Sequence, residues 1–190
     1  MHILTISGSL PKGSSNTALL VALADHAPDG VTVRRSISID RLPHFNPDLE
    51  ADDAPQPDTS SMPVGDLDAV HLLRASLAAA DAVVIATPEY AHSFPGVLKN
   101  ALDWIVGSGE LYGKPVAILC ASPRPGGGQK GRDAIRQTLL AQGADVVVSE
   151  TVTLLRSNDR ASELTKAETA ARFDEVLASL QAAVARAAGG

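Results

Sequence analysis

The chain has 190 residues, 45% hydrophobic, 20% charged and 3% aromatic, and 16 Lys plus Arg against 22 Asp plus Glu give a formal net charge of −6. That length sets a prior of one domain with room for a full core, and the acidic balance argues against a nucleic-acid binder, which needs a basic face to neutralise phosphates. A single cysteine excludes an internal disulfide framework and a Cys-ligated structural metal site. No apolar run approaches the ~20 residues of a membrane span. The opening Met1-His2-Ile3-Leu4-Thr5-Ile6 has neither a basic n-region nor a cleavage site, so a cytoplasmic protein with no membrane partner is expected.

In chain order, His2 to Ile6 is a short β-branched apolar run ending in a Gly/Ser/Pro turn and predicts a buried strand. Leu19, Leu20, Leu23 and Ala27 recur at helical spacing from Ser15 to Ala27. Val31 to Ile39 alternates apolar and polar and predicts a half-buried edge strand. Asp66 to Ala80 is helical by pattern, and Ala82 to Ala86 predicts a strand buried on both sides. Pro95 to Val106 starts a helix with proline in its first turn, where the missing N–H costs nothing. Pro115 to Ala121 predicts a strand, Gln129 to Gln142 a helix, Ala144 to Ser149 a strand and Ser162 to Ala188 a terminal Ala-rich helix.

Five βα units with apolar central strands argue for one α/β domain over residues 1–190, a parallel sheet covered by helices on both faces. Right-handed crossovers leave doubly wound orders, and five strands favour the flavodoxin-like order 2-1-3-4-5. In such sheets ligands bind beyond the carboxyl ends of the strands, at the point where the winding reverses. The loops after strands one, three and four are therefore where chemistry is expected. The stretch from Pro43 to Pro63 carries five of the twelve prolines, with no Lys or Arg between Arg41 and Arg74. It predicts a long acidic surface excursion, either solvated or forming a rim over the site or a subunit contact.

The first loop, Ser7 to Thr17, follows a strand and opens a helix, so hydroxyls, amides and a helix N-terminus converge as an anion site; plain Ser/Asn capping is the simpler alternative. Gly8 and Gly13 have P-loop spacing, but Ser14 stands where that motif needs Lys, and there is no G-x-G-x-x-G. What remains suits one terminal monophosphate, with Lys12 as a flexible cation. The second loop, Thr87 to Gly96, places Glu89, Tyr90, His92 and Ser93 at the switch point, although each residue alone reads equally as packing, an ion-pair partner or a solvated side chain. The third, Ser122-Pro123-Arg124-Pro125-Gly126-Gly127-Gly128, is extended before each proline and then glycine-rich enough to let backbone approach a flat ligand. A planar ring between loops two and three with a single phosphate in loop one describes flavin mononucleotide (FMN).

The chain also resembles the NADPH-dependent FMN reductases, a family that includes quinone, azo-dye and chromate reductases. The resemblance is carried by Ser7-Gly8-Ser9-Leu10 with Gly13-Ser14 and Asn16, by Leu42-Pro43 with Phe45-Asn46, by Thr87-Pro88-Glu89-Tyr90, and above all by Ser93-Phe94-Pro95-Gly96-Val97-Leu98-Lys99-Asn100-Ala101-Leu102-Asp103-Trp104. Leu111-Tyr112-Gly113-Lys114-Pro115-Val116 and Ser122-Pro123 continue it. It implies non-covalent FMN, NADPH or NADH as co-substrate, a small acceptor (flavin, quinone, azo dye or metal oxyanion), and a homodimer or homotetramer. It implies that Ser9, Ser14, Ser15, Asn16 and Thr17 bind the phosphate, that Pro88, Glu89, Tyr90 and Ser93 line the isoalloxazine, and that the loop with Ser122, Pro123, Arg124, Gly126 and Gly127 covers its other edge. Two positions depart from the family: Pro11 stands where Arg is usual and Ala91 where Asn is usual. Lys12 and Arg124 are the cations available in place of that Arg.

Trp104, with Leu98, Leu102 and Ile105, is expected to pack the core or a subunit face, and Cys120, inside an apolar strand, to be inert. His2, His26, His44 and His71 lack ligand spacing, so no metal site is expected. With FMN bound the hard chemistry belongs to the cofactor and no residue need be a strong acid or base. Nicotinamide and acceptor are expected to use the ring in turn, a ping-pong exchange. A flavin-binding electron carrier or a sensor is the alternative, although two tyrosines and one tryptophan make a flavin sandwich hard to build. A hydrolase is disfavoured by the lack of a G-x-S-x-G elbow.

Overall fold

A computed structural model describes residues 1–49, 67–154 and 160–189. Its strands are β1 (His2–Ser7), β2 (Thr32–Arg35), β3 (Ala82–Ala86), β4 (Pro115–Ser122) and β5 (Asp145–Thr153). Its helices are α1 (Ser15–His26), α2 (Leu67–Ala78), α3 (Gly96–Asp103), α4 (Gln129–Ala141), α5 (Arg160–Leu164) and α6 (Ala167–Ala188). All strand pairs are parallel and the order is β2-β1-β3-β4-β5, as the alternation of strand and helix patterns predicts.

Because a strand buried on both sides sends alternate residues to opposite faces, the core divides into two layers. Leu4, Ile6, Val83, Ile85, Val116 and Ile118 meet Val70, Leu73, Leu77, Leu98, Leu102, Ile135 and Leu139 from α2, α3 and α4. Ile3, Val84, Ala117 and Leu119 meet Leu19, Leu20 and Leu23 of α1 and Phe173, Val176, Leu177 and Leu180 of α6. Residue Ala82 to Ala86 of β3 is fully buried throughout, which is why that segment reads as a continuous apolar run.

Most boundaries lie within three residues of the sequence pattern, and three differ in kind. β2 ends at Arg35, and Ile39–Arg41 forms a 3-10 turn that buries Ile39, so the alternation beyond Arg35 reports one anchoring side chain, not a strand. β5 continues to Thr153 because it pairs with β4 as far as Ser122. The terminal helical pattern is two helices, with Lys166 in an extended conformation at the N-cap of α6. The expected excursion falls mostly on residues 50–66, outside the described residues, but its start is well anchored. The Asn100 amide accepts from the Phe45 N–H at 2.8 Å and donates to the Pro43 carbonyl at 2.9 Å. Trp104 Nε1 donates to that same carbonyl at 2.8 Å, and its ring packs edge-on to Phe45 with centroids 5.2 Å apart. Among the described residues no helix is long and apolar enough to cross a membrane, and no cluster of three His, Cys, Asp or Glu is placed to hold a metal ion.

Candidate functional site

The carboxyl edge of the sheet is stepped. Ser7 of β1, Ala86 of β3 and Leu119 of β4 lie in register, and the ladder runs one bond further through Gly8 N–H to the Ala86 carbonyl and Thr87 N–H to the Leu119 carbonyl. β4 then continues through Cys120 to Ser122 alongside β5. Loops one and two thus leave from a low shelf over β1 and β3, and the extension of β4, topped by loop three, forms its wall. This is where the winding reverses, so a ligand there meets the ends of several strands.

Side chains tie the three loops together. Gly8 has no room for a side chain: a Cβ would lie 2.9 Å from Leu98 Cδ2 and 3.0 Å from Thr87 Oγ1. The buried Asn16 of α1 accepts from the Ala121 N–H at 2.9 Å, fixing the first turn of α1 against the wall. Glu89 joins loop two to α4. The N-cap of α4 is Gly128 in the left-handed region, which has no side chain to cap the helix. Glu89 Oε2 accepts instead from Gly131 N–H at 3.2 Å, a carboxylate delivered from another loop to the positive end of the helix. Glu89 Oε1 lies 3.3 Å from His92 Nδ1. The Gly131 amide first, and the His92 ring second, hold the Glu89 carboxyl below the usual carboxylate range. A Cβ at Gly131 would crowd Ser93 O at 3.0 Å and the Glu89 Cα and Cβ at 3.1 Å, so a larger residue would have to push loop two back from α4.

Loop two is a two-residue hairpin. Tyr90 and Ser93 exchange backbone hydrogen bonds of 2.8 and 2.9 Å, and the turn residues Ala91 and His92 have φ of 49° and 64°, the signs of a type I′ turn. Its rigid frame leaves the Tyr90 ring 54% exposed. In loop three, Ser122 Oγ accepts from Arg124 N–H at 3.2 Å, Gly127 N–H donates to the Arg124 carbonyl at 3.0 Å, and Thr151 Oγ1 donates to the Gly127 carbonyl at 2.8 Å. Two of its glycines serve the protein's own packing. A Cβ at Gly127 would fall 2.0 Å from Ser122 Oγ, and one at Gly128 2.2 Å from Cys120 Sγ. Only at Gly126 (φ 69°) would it meet open space. Burial pushes the Cys120 thiol up, which keeps it neutral and unreactive.

The loop-one residues divide by occupation. Ser14 is the N-cap of α1 and accepts from Thr17 N–H at 3.2 Å. Ser7 Oγ and Thr17 Oγ1 share a 2.8 Å bond, and Asn16 Oδ1 is committed to Ala121. These atoms shape the loop. The first-turn amides of Ser15 and Asn16 have no acceptor within the helix, and the Ser9 and Ser15 hydroxyls and Lys12 stand beside them in sequence. The structure brings Ser9, Ser14, Ser15, Asn16 and Thr17 to one end of the shelf, Pro88, Glu89, Tyr90, Ala91 and Ser93 to its middle, and Ser122, Pro123, Arg124, Gly126 and Gly127 to its wall. Sequence reasoning passed over Gly131, whose signal was a glycine inside a helical pattern. It also passed over Arg35 and Ser36 at the end of β2, which share a cavity with Pro11 and Lys12.

Comparison with known proteins identifies the family and supports the fold. The profile of the NADPH-dependent FMN reductase family matches residues 1–159. The chain is 39% identical over 142 residues, 74% of its length and 70% of the relative's, to an NAD(P)H-dependent FMN reductase of Pseudomonas aeruginosa. It is 34% identical over 149 residues to a quinone reductase of Escherichia coli K12, covering 77% of this chain and 73% of that one. Among solved structures, FerB, a flavoenzyme NAD(P)H:(acceptor) oxidoreductase of Paracoccus denitrificans, superposes with a TM-score of 0.70 at 27% identity, over 95% of this chain and 97% of FerB. By sheet order, loop placement and sequence, the chain belongs to the NADPH-dependent FMN reductase family and is a flavodoxin-like oxidoreductase.

Proposed function

We propose that this protein binds FMN on the shelf, takes reducing equivalents from NADPH or NADH, and passes them to a small acceptor, a quinone or a flavin first and an azo dye or metal oxyanion as further candidates, by a ping-pong exchange in the cytoplasm as a homodimer or homotetramer. The observation that carries this reading is the set of first-turn amides of α1 left open at one end of a shelf whose other end is walled by β4. The donor set fits the group: two backbone N–H groups and hydroxyls at a helix N-terminus suit a phosphate, and the exposed Tyr90 ring and the open side of Gly126 suit a flat, partly apolar ring.

Once bound, FMN supplies the hydride-accepting and electron-releasing chemistry. The protein's part is to hold and orient. Ser9, Ser15 and the amides of Ser15 and Asn16 grip the phosphate, while Ser14, Asn16 and Thr17 keep that turn in shape. Glu89 locks loop two to α4, so the distance between the Tyr90–Ser93 hairpin and loop three is preset and little reorganisation accompanies each exchange of substrate. The loop-three amides and Arg124 offer positive charge to the ring edge beside them. No side chain is asked to act as a strong acid or base.

The test is the absorbance spectrum of the purified protein, with reconstitution by added FMN, followed by initial rates with NADPH or NADH and a quinone. A flavin spectrum and parallel double-reciprocal lines are expected. A colourless protein that takes up no FMN overturns the cofactor assignment, and intersecting lines overturn the ping-pong exchange.

A further inference from the structure

Beside the loop-one end of the shelf, a cavity of about 490 Å³ lies between residues of loop one, Ser7 to Lys12 with Thr17, and the chain leaving β2, Arg35 to Ile39. The molecule carries a net charge of −6, yet among the described residues no carboxylate lines this cavity, whereas Lys12 and Arg35 both do. Neither cation has an ion-pair partner among the described residues. Ser36, which also lines the cavity, is 8% exposed, and its hydroxyl has no hydrogen-bond partner among the described residues. A buried hydroxyl without a partner is costly, and a cavity bearing two uncompensated cations is poised for an anion. Leu10, 49% exposed, lies at the same cavity with Ile37, an apolar surface next to the charged one.

We propose that this cavity is a phosphomonoester site, and that the phosphate it takes is the 2′-phosphate of NADPH, with Arg35 and Lys12 as its counter-charges, Ser36 as a hydroxyl donor, and Leu10 and Ile37 facing the nucleoside. The inference rests on the reading that the chain uses a nicotinamide nucleotide. The 5′-phosphate of FMN is the other source of the same chemistry, but α1 offers it an N-terminus with open amides. Arg35 ends β2, and Lys12 follows Pro11 in loop one, so the two cations reach the cavity from two separate segments of chain. Arg35 sits at the carboxyl end of the strand beside β1, a second route to the same edge of the sheet.

Two measurements test the proposal. In the first, calorimetric titration compares adenosine 2′,5′-bisphosphate with adenosine 5′-monophosphate, which lacks only the 2′-phosphate, on the FMN-loaded protein and on the FMN-free protein. The bisphosphate should bind about tenfold or more tightly, and Arg35→Ala should abolish that preference while Arg35→Lys restores part of it. The preference should also weaken steeply with salt, as an exposed ionic contact does. In the second, the ratio of kcat/KM for NADPH to that for NADH should fall about tenfold in Arg35→Ala, with the affinities for FMN and for riboflavin unchanged. Equal binding of the two adenosine phosphates, or an unaltered NADPH to NADH ratio, overturns the proposal. So does a loss of FMN affinity with riboflavin affinity retained, which would give the cavity to the cofactor's own phosphate. Because the titration is also made without FMN, a protein that fails to bind flavin leaves this result readable.

Discussion

Ala91 and His92 occupy a region of backbone space that costs an L-residue about 1–2 kcal/mol, at φ of 49° and 64°, yet the hairpin between Tyr90 and Ser93 holds them there. Ala91→Gly removes that strain and returns part of the gain as extra freedom of the unfolded chain. A net stabilisation of about 0.5–1 kcal/mol is expected, read as a higher urea midpoint at unchanged m-value; a destabilised variant would mean the turn is not strained. Glu89 gives a pH signature. Its carboxyl is depressed in the folded state by the Gly131 amide and the His92 ring. Its contribution is therefore present above the unfolded-state value and lost as pH falls through the folded-state one. Glu89→Gln should be less stable than the parent near neutrality, and the gap should close as pH falls below the ordinary glutamate value of about 4.3. Denaturation curves whose separation stays constant between those pH values would refute the role of the charge. The identity of Glu89 was readable at the switch point from the sequence. Its partner was not, because Gly131 lies 42 positions away and only packing brings the two together.

At the scale of elements, the most family-specific stretch of the sequence, from Ser93 to Trp104, serves structure as much as chemistry. Asn100 and Trp104 on one side of α3 both reach the Pro43 carbonyl, so two separated motifs of the sequence are the two halves of one contact. Arg74 of α2 adds its guanidinium to the Trp104 carbonyl, and Lys114 donates to the Leu77 carbonyl at the end of α2 at 2.9 Å, so charged side chains supplement the backbone bonds at two helix ends. Trp104→Phe deletes the indole donor and leaves a small void. A loss of about 1–3 kcal/mol is expected, together with faster proteolysis in the segment that begins after Phe45. A variant as stable as the parent, with an unchanged cleavage pattern, would show that the contact holds nothing. The helix pattern gave Trp104 a packing role correctly, but periodicity says nothing about which chain segment it packs against.

For the whole molecule, the loops are cross-linked through Gly8, Asn16 and Glu89, so a ligand that spans the shelf should stabilise the fold as a unit. FMN at a hundred times its Kd contributes about 2.7 kcal/mol by mass action, and for a chain of 190 residues that corresponds to a rise in Tm of about 5–10 °C. Riboflavin, without the phosphate that reaches α1, should raise Tm less at the same concentration. Equal shifts from the two flavins would remove the phosphate from the argument.

The strand order, the two-sided burial of β3 and the three loops that gather at one edge of the sheet were all legible in the sequence. Each is a consequence of local periodicity and of the handedness of βαβ crossovers, which hold wherever such segments occur. Tertiary structure alone decided how the loop residues are spent. Ser14, Asn16 and Thr17 read as phosphate ligands by type, and in the packed chain their side-chain oxygens also shape the turn, the Ser14 O–H and the Asn16 NH2 remaining as donors. Gly127 and Gly128 read as room for a ligand, but they make room for Ser122 and Cys120. A hydrogen-bonding atom or an absent side chain advertises a capacity in sequence, and which neighbour uses it depends on distances that only the packed chain sets.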